Sequence, residues 1–172
     1  NILGAKNVGF YTAPAEIISR MSIVPTSISR AVFPRLSSLS NIDKFNKELR
    51  FSYIIMFLIC TPLVGFFMFF SGDIMYYWLG EQYYTKSSGI FFVLLIGYFF
   101  NSLAQIPFSA IQSLGKSKIT ALLHCAEIIP YLVILFFLTS HYGLIGTAYA
   151  WSIRVIIDFF SLYFISAWLN KA

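Results

Sequence analysis

Three long stretches of this chain contain no charged residue. Asp, Glu, Lys and Arg are all missing from Phe51–Phe70, Ile90–Phe100 and Leu132–Leu138. Soluble domains carry about 25% charged residues, whereas this chain of 172 residues is 11% charged and 58% hydrophobic. Because a helix needs about 20 apolar residues to cross a hydrocarbon core, these stretches predict helices that span a membrane.

The pattern predicts an all-α fold, a polytopic bundle of about five transmembrane helices. The predicted spans cover approximately residues 11–35, 51–71, 88–113, 119–139 and 143–168. The connections after the first and third spans carry Lys44, Lys47, Arg50, Lys116 and Lys118, whereas those after the second and fourth carry only Lys86. Cytoplasmic loops are the ones enriched in Lys and Arg. We therefore expect loops 36–50 and 114–118 in the cytoplasm, and loops 72–87 and 140–143 on the opposite side.

Several classes of protein are disfavoured by the same sequence. The net charge of +5 comes from basic residues scattered between apolar blocks, so nucleic acid is not an expected partner. Cys60 and Cys125 lie within apolar segments and predict neither a disulfide nor a metal site. No catalytic motif is recognisable, so we expect no catalytic residue, no cofactor and no enzymatic activity. The chain begins at Asn1 without a signal peptide, which predicts a truncated sequence.

Polar side chains inside the predicted spans are the candidates for function. A lone charge at the bilayer centre costs about 2.5–3.5 kcal/mol, so such residues should face protein or water. At 100° per residue they form stripes on four of the five spans, which predicts a shared hydrophilic cavity. The candidate substrate-binding residues are Glu16, Arg20, Asn101, Gln105, Gln112, Arg154 and Asp158.

Simpler interpretations of these residues remain open. Glu16 with Arg20, and Arg154 with Asp158, are spaced as i,i+4 ion pairs that would only fix helix packing. His124 and Glu127 share one helical face and are candidates for proton coupling. A membrane histidine that only hydrogen-bonds a neighbouring helix would fit the same pattern.

Five stretches of the sequence resemble one known family. They are VGFYTAPAEIISR (8–20), SIVPTSISRAVFPRLS (22–37), YYWLGEQY (76–83), FFNSLAQIPFSAIQSLGKSKITALLH (99–124) and YGLIGTAYAWSIRVIIDFFSLY (142–163). In this order they are similar to the second half of bacterial polysaccharide (O-antigen) flippases. These proteins form part of the multidrug/oligosaccharidyl-lipid/polysaccharide exporter superfamily.

The resemblance implies a two-halved exporter in the bacterial inner membrane, in which residues 1–172 supply most of the second half and the N-terminal half is missing. The implied substrate is an oligosaccharide on undecaprenyl pyrophosphate, moved from the cytoplasmic to the periplasmic leaflet. Arg20 and Arg154 would then offset the pyrophosphate charge, while Asn101, Gln105 and Gln112 would hydrogen-bond sugar hydroxyls. Loops 72–87 and 140–143 would be periplasmic.

Two other functions fit the sequence less well. A cation-coupled multidrug efflux transporter of the same superfamily would need a more anionic pocket, because Arg20 and Arg154 offset the available carboxylates. A membrane-embedded glycosyl- or acyltransferase would need catalytic groups at the membrane surface. The histidine of the last predicted loop, His141, has no evident partner there.

Overall fold

The computed structural model describes residues 5–170, and within that range it contains seven α-helices and no strand. The helices are α1 (Ala5–Met21), α2 (Ile23–Ser37), α3 (Ile42–Phe69), α4 (Ser71–Leu79), α5 (Glu81–Ser113), α6 (Ser117–Tyr142) and α7 (Leu144–Leu169). The predicted all-α bundle is confirmed. Four of the helices, α3, α5, α6 and α7, are long and apolar enough to cross a membrane.

The predicted first span, residues 11–35, is not one straight helix. It is divided into α1 and α2 at Ser22, and neither half alone has the length of a span. Pro25 has no N–H to donate to the carbonyl of Met21, four residues earlier. That carbonyl instead accepts a hydrogen bond of 2.9 Å from the Tyr98 hydroxyl of α5. A neighbouring helix therefore satisfies the backbone group that the proline frees.

Most of the predicted loop 36–50 is helical, because α3 begins at Ile42. Asn41 caps this helix, since its side-chain oxygen accepts hydrogen bonds from the backbone N–H groups of Asp43 (2.9 Å) and Lys44 (3.1 Å). An asparagine at this position is a strong start signal. The charged linker is thus the first part of a long helix that continues into the membrane.

The prediction of a loop over residues 72–87 is also wrong, because most of this segment is helical. It contains the short helix α4 and the first turns of α5, separated at Gly80, whose φ of 91° favours glycine. The predicted loop 140–143 reduces to a turn at Gly143, because α6 continues to Tyr142. The loop predicted at 114–118 is shorter than expected, since α6 starts at Ser117.

Helix α5 forms the centre of the bundle and packs against all six other described helices. Leu95, Tyr98, Ile106 and Ile111 on this helix are completely buried. Helix α6 lies at the outside, where Thr120 is its one buried residue. The apolar surface of α6 therefore faces outward, as expected for a helix surrounded by lipid or by further membrane helices.

Small and hydroxyl-bearing residues bring the helices together. A Cβ added at Gly146 would overlap the carbonyl oxygen of Leu138, so α7 touches the backbone of α6. The hydroxyls of Ser29 and Ser109 are 2.6 Å apart and join α2 to α5. These are the contacts typical of membrane helices, whose association is driven by close packing and interhelical hydrogen bonds.

Candidate functional site

A cavity of about 300 Å³ lies between α5, α6 and α7. Its wall combines polar and apolar side chains, as small-molecule sites in proteins commonly do. The polar residues are Asn101, Gln105, His124, Arg154 and Asp158, and the apolar ones are Ala104, Phe108, Trp151, Val155 and Leu162. Three of the predicted polar stripes therefore converge on one space.

Helical spacing explains this convergence. Asn101 and Gln105 are four residues apart on α5, and Arg154 and Asp158 are four residues apart on α7, so each pair points the same way from its helix. His124 reaches the same space from α6. The side chain of Asp158 is only 11% exposed, whereas that of Arg154 is 35% exposed.

Two ion pairs of this site join α6 to α7, while a third, between Nδ1 of His124 and Glu127 at 3.9 Å, lies within α6. The Nε atom of Arg154 lies 3.7 Å from an oxygen of Glu127, and Nδ1 of His124 lies 3.6 Å from an oxygen of Asp158. Arg154 and Asp158 are not within the 4.0 Å salt-bridge distance. The interpretation of these two as an intrahelical ion pair is therefore wrong, because α6 packs along α7 and places Glu127 beside the guanidinium.

The two carboxylates of the cluster are short of hydrogen bonds. Both oxygens of Glu127 and one oxygen of Asp158 are buried without a hydrogen-bond partner. With His124 neutral, two carboxylates and the Arg154 guanidinium give a net charge of about −1, and an uncompensated charge away from water is costly. Donor atoms of His124, Glu127 and Asp158 all lie within 4.8 Å of one another. This geometry can accept one additional positive charge, such as a proton.

Three of the predicted substrate-binding residues lie elsewhere. Glu16 and Arg20 form an i,i+4 ion pair of 3.0 Å on α1, with side chains 58% and 78% exposed. The i,i+4 spacing of Glu16 and Arg20 predicted this ion pair. Neither residue lines the cavity. Gln112 borders a separate depression with Ser29, Arg30 and Ser109.

The aromatic side of the cavity was not predicted from the sequence. Phe108 and Trp151 both line it, and the ring of Phe108 lies 5.9 Å from that of His124. Trp151 precedes Arg154 by three residues, which places both on one face of α7. That spacing was the available signal, but an aromatic residue in a membrane helix is too common to be distinctive.

A protein of Shigella flexneri, named "Putative O-antigen transporter", is 54% identical to this chain over 158 residues. The chain is homologous to part of that protein. The match covers 92% of this chain and 38% of the Shigella transporter, so the chain spans well under half of the relative's length. It confirms the resemblance to O-antigen transporters seen in the sequence.

No protein-family model matches the chain, and no solved structure does. The match to the Shigella transporter leaves only a small part of the chain unmatched, so it extends over most of the described helices. Together with the four membrane-length apolar helices, it identifies a multi-pass membrane protein.

Proposed function

We propose that the protein containing this chain is a flippase for undecaprenyl-pyrophosphate-linked oligosaccharides, the repeat units of O-antigen or of capsule and exopolysaccharide. The name of the Shigella relative supports a polysaccharide transporter and a non-enzymatic role. The observation that carries the proposal is the polar cavity at α5, α6 and α7, which places amides and a guanidinium inside an apolar bundle. Sugar hydroxyls can bond to amides, and a guanidinium suits phosphate.

In this proposal Asn101 and Gln105 bind the sugar, and Arg154 binds the pyrophosphate. Arg154 is partly neutralised by Glu127, and Asp158 lies in the same cavity. Both carboxylates would repel a pyrophosphate unless protonation removed their negative charge. We therefore assign coupling to His124 and Glu127, in which proton uptake removes the negative charge beside Arg154 and lets the guanidinium bind the anion.

Glu16, Arg20 and Gln112 would contribute from outside this cavity. Arg20 and Glu16 are exposed on a helix of the bundle, and charged side chains there need protein or water around them. We propose that this face of α1 looks toward the first half of the transporter, across the main translocation path. The inner membrane is the proposed location, with residues 36–50 and 114–118 cytoplasmic and residues 72–87 and 140–143 periplasmic.

Complementation of a flippase-null bacterial strain tests the role of Arg154. The complete gene carrying Arg154→Ala or Arg154→Lys is expected to give normal membrane insertion but no surface polysaccharide, because an ammonium lacks the planar fork of a guanidinium. Surface polysaccharide is measured on gels, and insertion by immunoblot of membranes.

Arg35→Ala is the matched control for this experiment. Arg35 lies in the last turn of α2 and is paired with Glu48 at 3.4 Å, with its side chain 66% exposed and away from the cavity. It is expected to retain surface polysaccharide. If both Arg154 variants also retain it, the guanidinium is only a packing group and the cavity proposal is wrong.

One observation favours a second candidate, a cation-coupled multidrug efflux transporter. Arg20 does not reach the cavity, so two carboxylates, Asp158 in the wall and Glu127 paired with Arg154, outnumber the single arginine. Phe108 and Trp151 supply aromatic surface. Such a site suits a cationic amphiphile. Efflux of ethidium from cells that carry the complete gene, without restored polysaccharide, would favour this candidate.

The membrane-embedded glycosyl- or acyltransferase gains no support from the helices. His141 lies in the last turn of α6, exposed, with Nδ1 2.9 Å from the carbonyl oxygen of Phe137. Among the described residues no carboxylate is within salt-bridge distance of it. A histidine held by its own helix has no partner to activate it as a general base.

A further inference from the structure

A second cavity, of about 440 Å³, lies between the beginning of α3 and the end of α7. It shares no lining residue with the cavity at Arg154, whose last lining residue on α7 is Leu162, and the transport proposal gives it no role. Asn46, Arg50 and Tyr53 line it from α3, and Tyr163, Ser166 and Asn170 line it from α7 and the residue that follows. Its volume falls within the range of about 300–1,000 Å³ typical of small-molecule sites.

The polar atoms of this groove lack partners. Ser166 is 2% exposed, yet its hydroxyl has no hydrogen-bond partner, and the side-chain oxygen of Asn170 is buried and unpartnered too. Buried polar groups are nearly always hydrogen-bonded. Two unsatisfied oxygens in the wall of one groove therefore indicate a ligand that carries hydrogen-bond donors.

The charge of the groove comes from Arg50. Within the described residues its guanidinium makes no salt bridge, in contrast to Arg35, which is paired with Glu48. Lys44 and Lys47 lie within two turns of it on the same helix. This cationic end of α3 favours an anionic ligand, and a guanidinium is well suited to a phosphate.

The position of the groove indicates that the ligand is a lipid. Arg50 directly precedes the uncharged stretch that starts at Phe51, so it lies where the apolar part of α3 begins. Trp168, 66% exposed, is near the end of α7 at the same end of the bundle. Tryptophan and tyrosine are enriched at the membrane–water interface, and the rings of Tyr53 and Tyr163 lie 6.2 Å apart beside the groove.

We propose that this groove binds the headgroup of an anionic phospholipid that carries hydroxyl donors, with phosphatidylglycerol as the probe. Arg50 binds the phosphate, Ser166 and Asn170 accept hydrogen bonds from the headgroup hydroxyls, and Tyr53 and Tyr163 contact the first part of the acyl chains. The proposal concerns a bound lipid of the membrane and does not depend on which substrate is transported.

Native mass spectrometry of the complete protein in detergent tests the proposal. Wild type is expected to retain phosphatidylglycerol in preference to phosphatidylcholine, whose headgroup has a phosphate but no hydrogen-bond donor. Arg50→Gln is expected to weaken retention of phosphatidylglycerol by at least about tenfold, as for a hydrogen bond to a charged group. Ser166→Ala is expected to weaken it by about threefold, as for one neutral hydrogen bond.

Lys47→Gln is the matched control, since it removes one charge from the same helix one turn earlier but does not line the groove. It is expected to change retention by less than about threefold, as for an exposed charge. Elution profiles confirm that each variant is folded.

Four results would overturn the proposal. Equal losses for Arg50→Gln and Lys47→Gln would mean that the basic end of α3 attracts anionic lipid without a site. Equal retention of the two lipids would exclude selection by headgroup donors. Displacement by millimolar inorganic phosphate would show that a free anion is enough. Absence of bound lipid from wild type would show that the groove does not hold this lipid.

Discussion

At the scale of single residues, hydroxyl groups donate hydrogen bonds to backbone carbonyls of neighbouring helices. Tyr98 satisfies the Met21 carbonyl freed by Pro25, and the Ser152 hydroxyl donates to the carbonyl of Val93 at 2.9 Å. Both bonds cross between helices. In a membrane no water is available to take over such bonds, so a single oxygen atom can hold a bent helix in place.

Tyr98→Phe is expected to destabilise the protein by about 1 kcal/mol, the usual scale for an interhelical hydrogen bond in a membrane protein. It removes one oxygen and leaves the Met21 carbonyl buried without a donor. Thermal unfolding of the complete protein in detergent measures the loss. Tyr77→Phe is the control, because Tyr77 is 84% exposed. Equal melting temperatures for the two variants would contradict the role of Tyr98.

At the scale of helices, the long apolar stretches predicted most of the long elements but not their ends. The four membrane-length helices match predicted spans two to five, because uncharged stretches of that length have few alternatives. Segments 36–50 and 72–87 were predicted as loops because they are polar. Polar residues at the membrane surface are compatible with a helix. Only Asn41 and Gly80 indicate where a helix starts or where two helices are separated.

The candidate site could be predicted only in part, because the sequence shows which residues share a helix face but not how the helices pack. Helical spacing shows that Asn101 and Gln105 share a face, as do Arg154 and Asp158, and the cavity uses both pairs. Spacing does not show which helix lies opposite. The pairing of Arg154 with Glu127 depends on how α6 packs along α7, and the distance of Arg20 from the cavity depends on where α1 lies.

Gly146→Ala tests the contact between α6 and α7. The added methyl group would overlap the Leu138 carbonyl, which is backbone and cannot turn aside. We expect the helices to separate and the free energy of unfolding to fall by about 1–3 kcal/mol, the usual cost of overpacking. Fluorescence-detected chromatography after heating measures the change. Gly65→Ala, which has no atom within 4 Å of the new methyl group, should be nearly neutral; similar losses for both would argue against the close contact.

At the scale of the whole molecule, the distribution of charge predicts orientation. Basic residues are concentrated at the end of α2, in the first turns of α3 and around the start of α6, whereas Tyr76, Tyr77 and Trp78 are exposed on α4. Aromatic residues belong to the interface, and basic residues belong to the cytoplasmic side. The two ends of the bundle are therefore expected to face different compartments.

Cysteine labelling measures this orientation. In a background with Cys60→Ala and Cys125→Ser, Tyr77→Cys is expected to react with a membrane-impermeant maleimide in spheroplasts. Lys116→Cys is expected to react only after the membrane is permeabilised. The reverse pattern would invert the proposed topology, and labelling of both without permeabilisation would rule out a single orientation.

The central position of α5 has a consequence for biosynthesis. Helices α1 to α4 leave the ribosome before α5, yet the groups that complete them lie on α5: the Tyr98 hydroxyl for the Met21 carbonyl and Ser109 for Ser29. Until that helix is inserted, the earlier ones carry unsatisfied polar groups in the bilayer, which are costly there. A nascent chain that stalls before residue 113 is therefore an exposed substrate for membrane quality control, and insertion of α5 is the step that commits the earlier helices to a stable bundle.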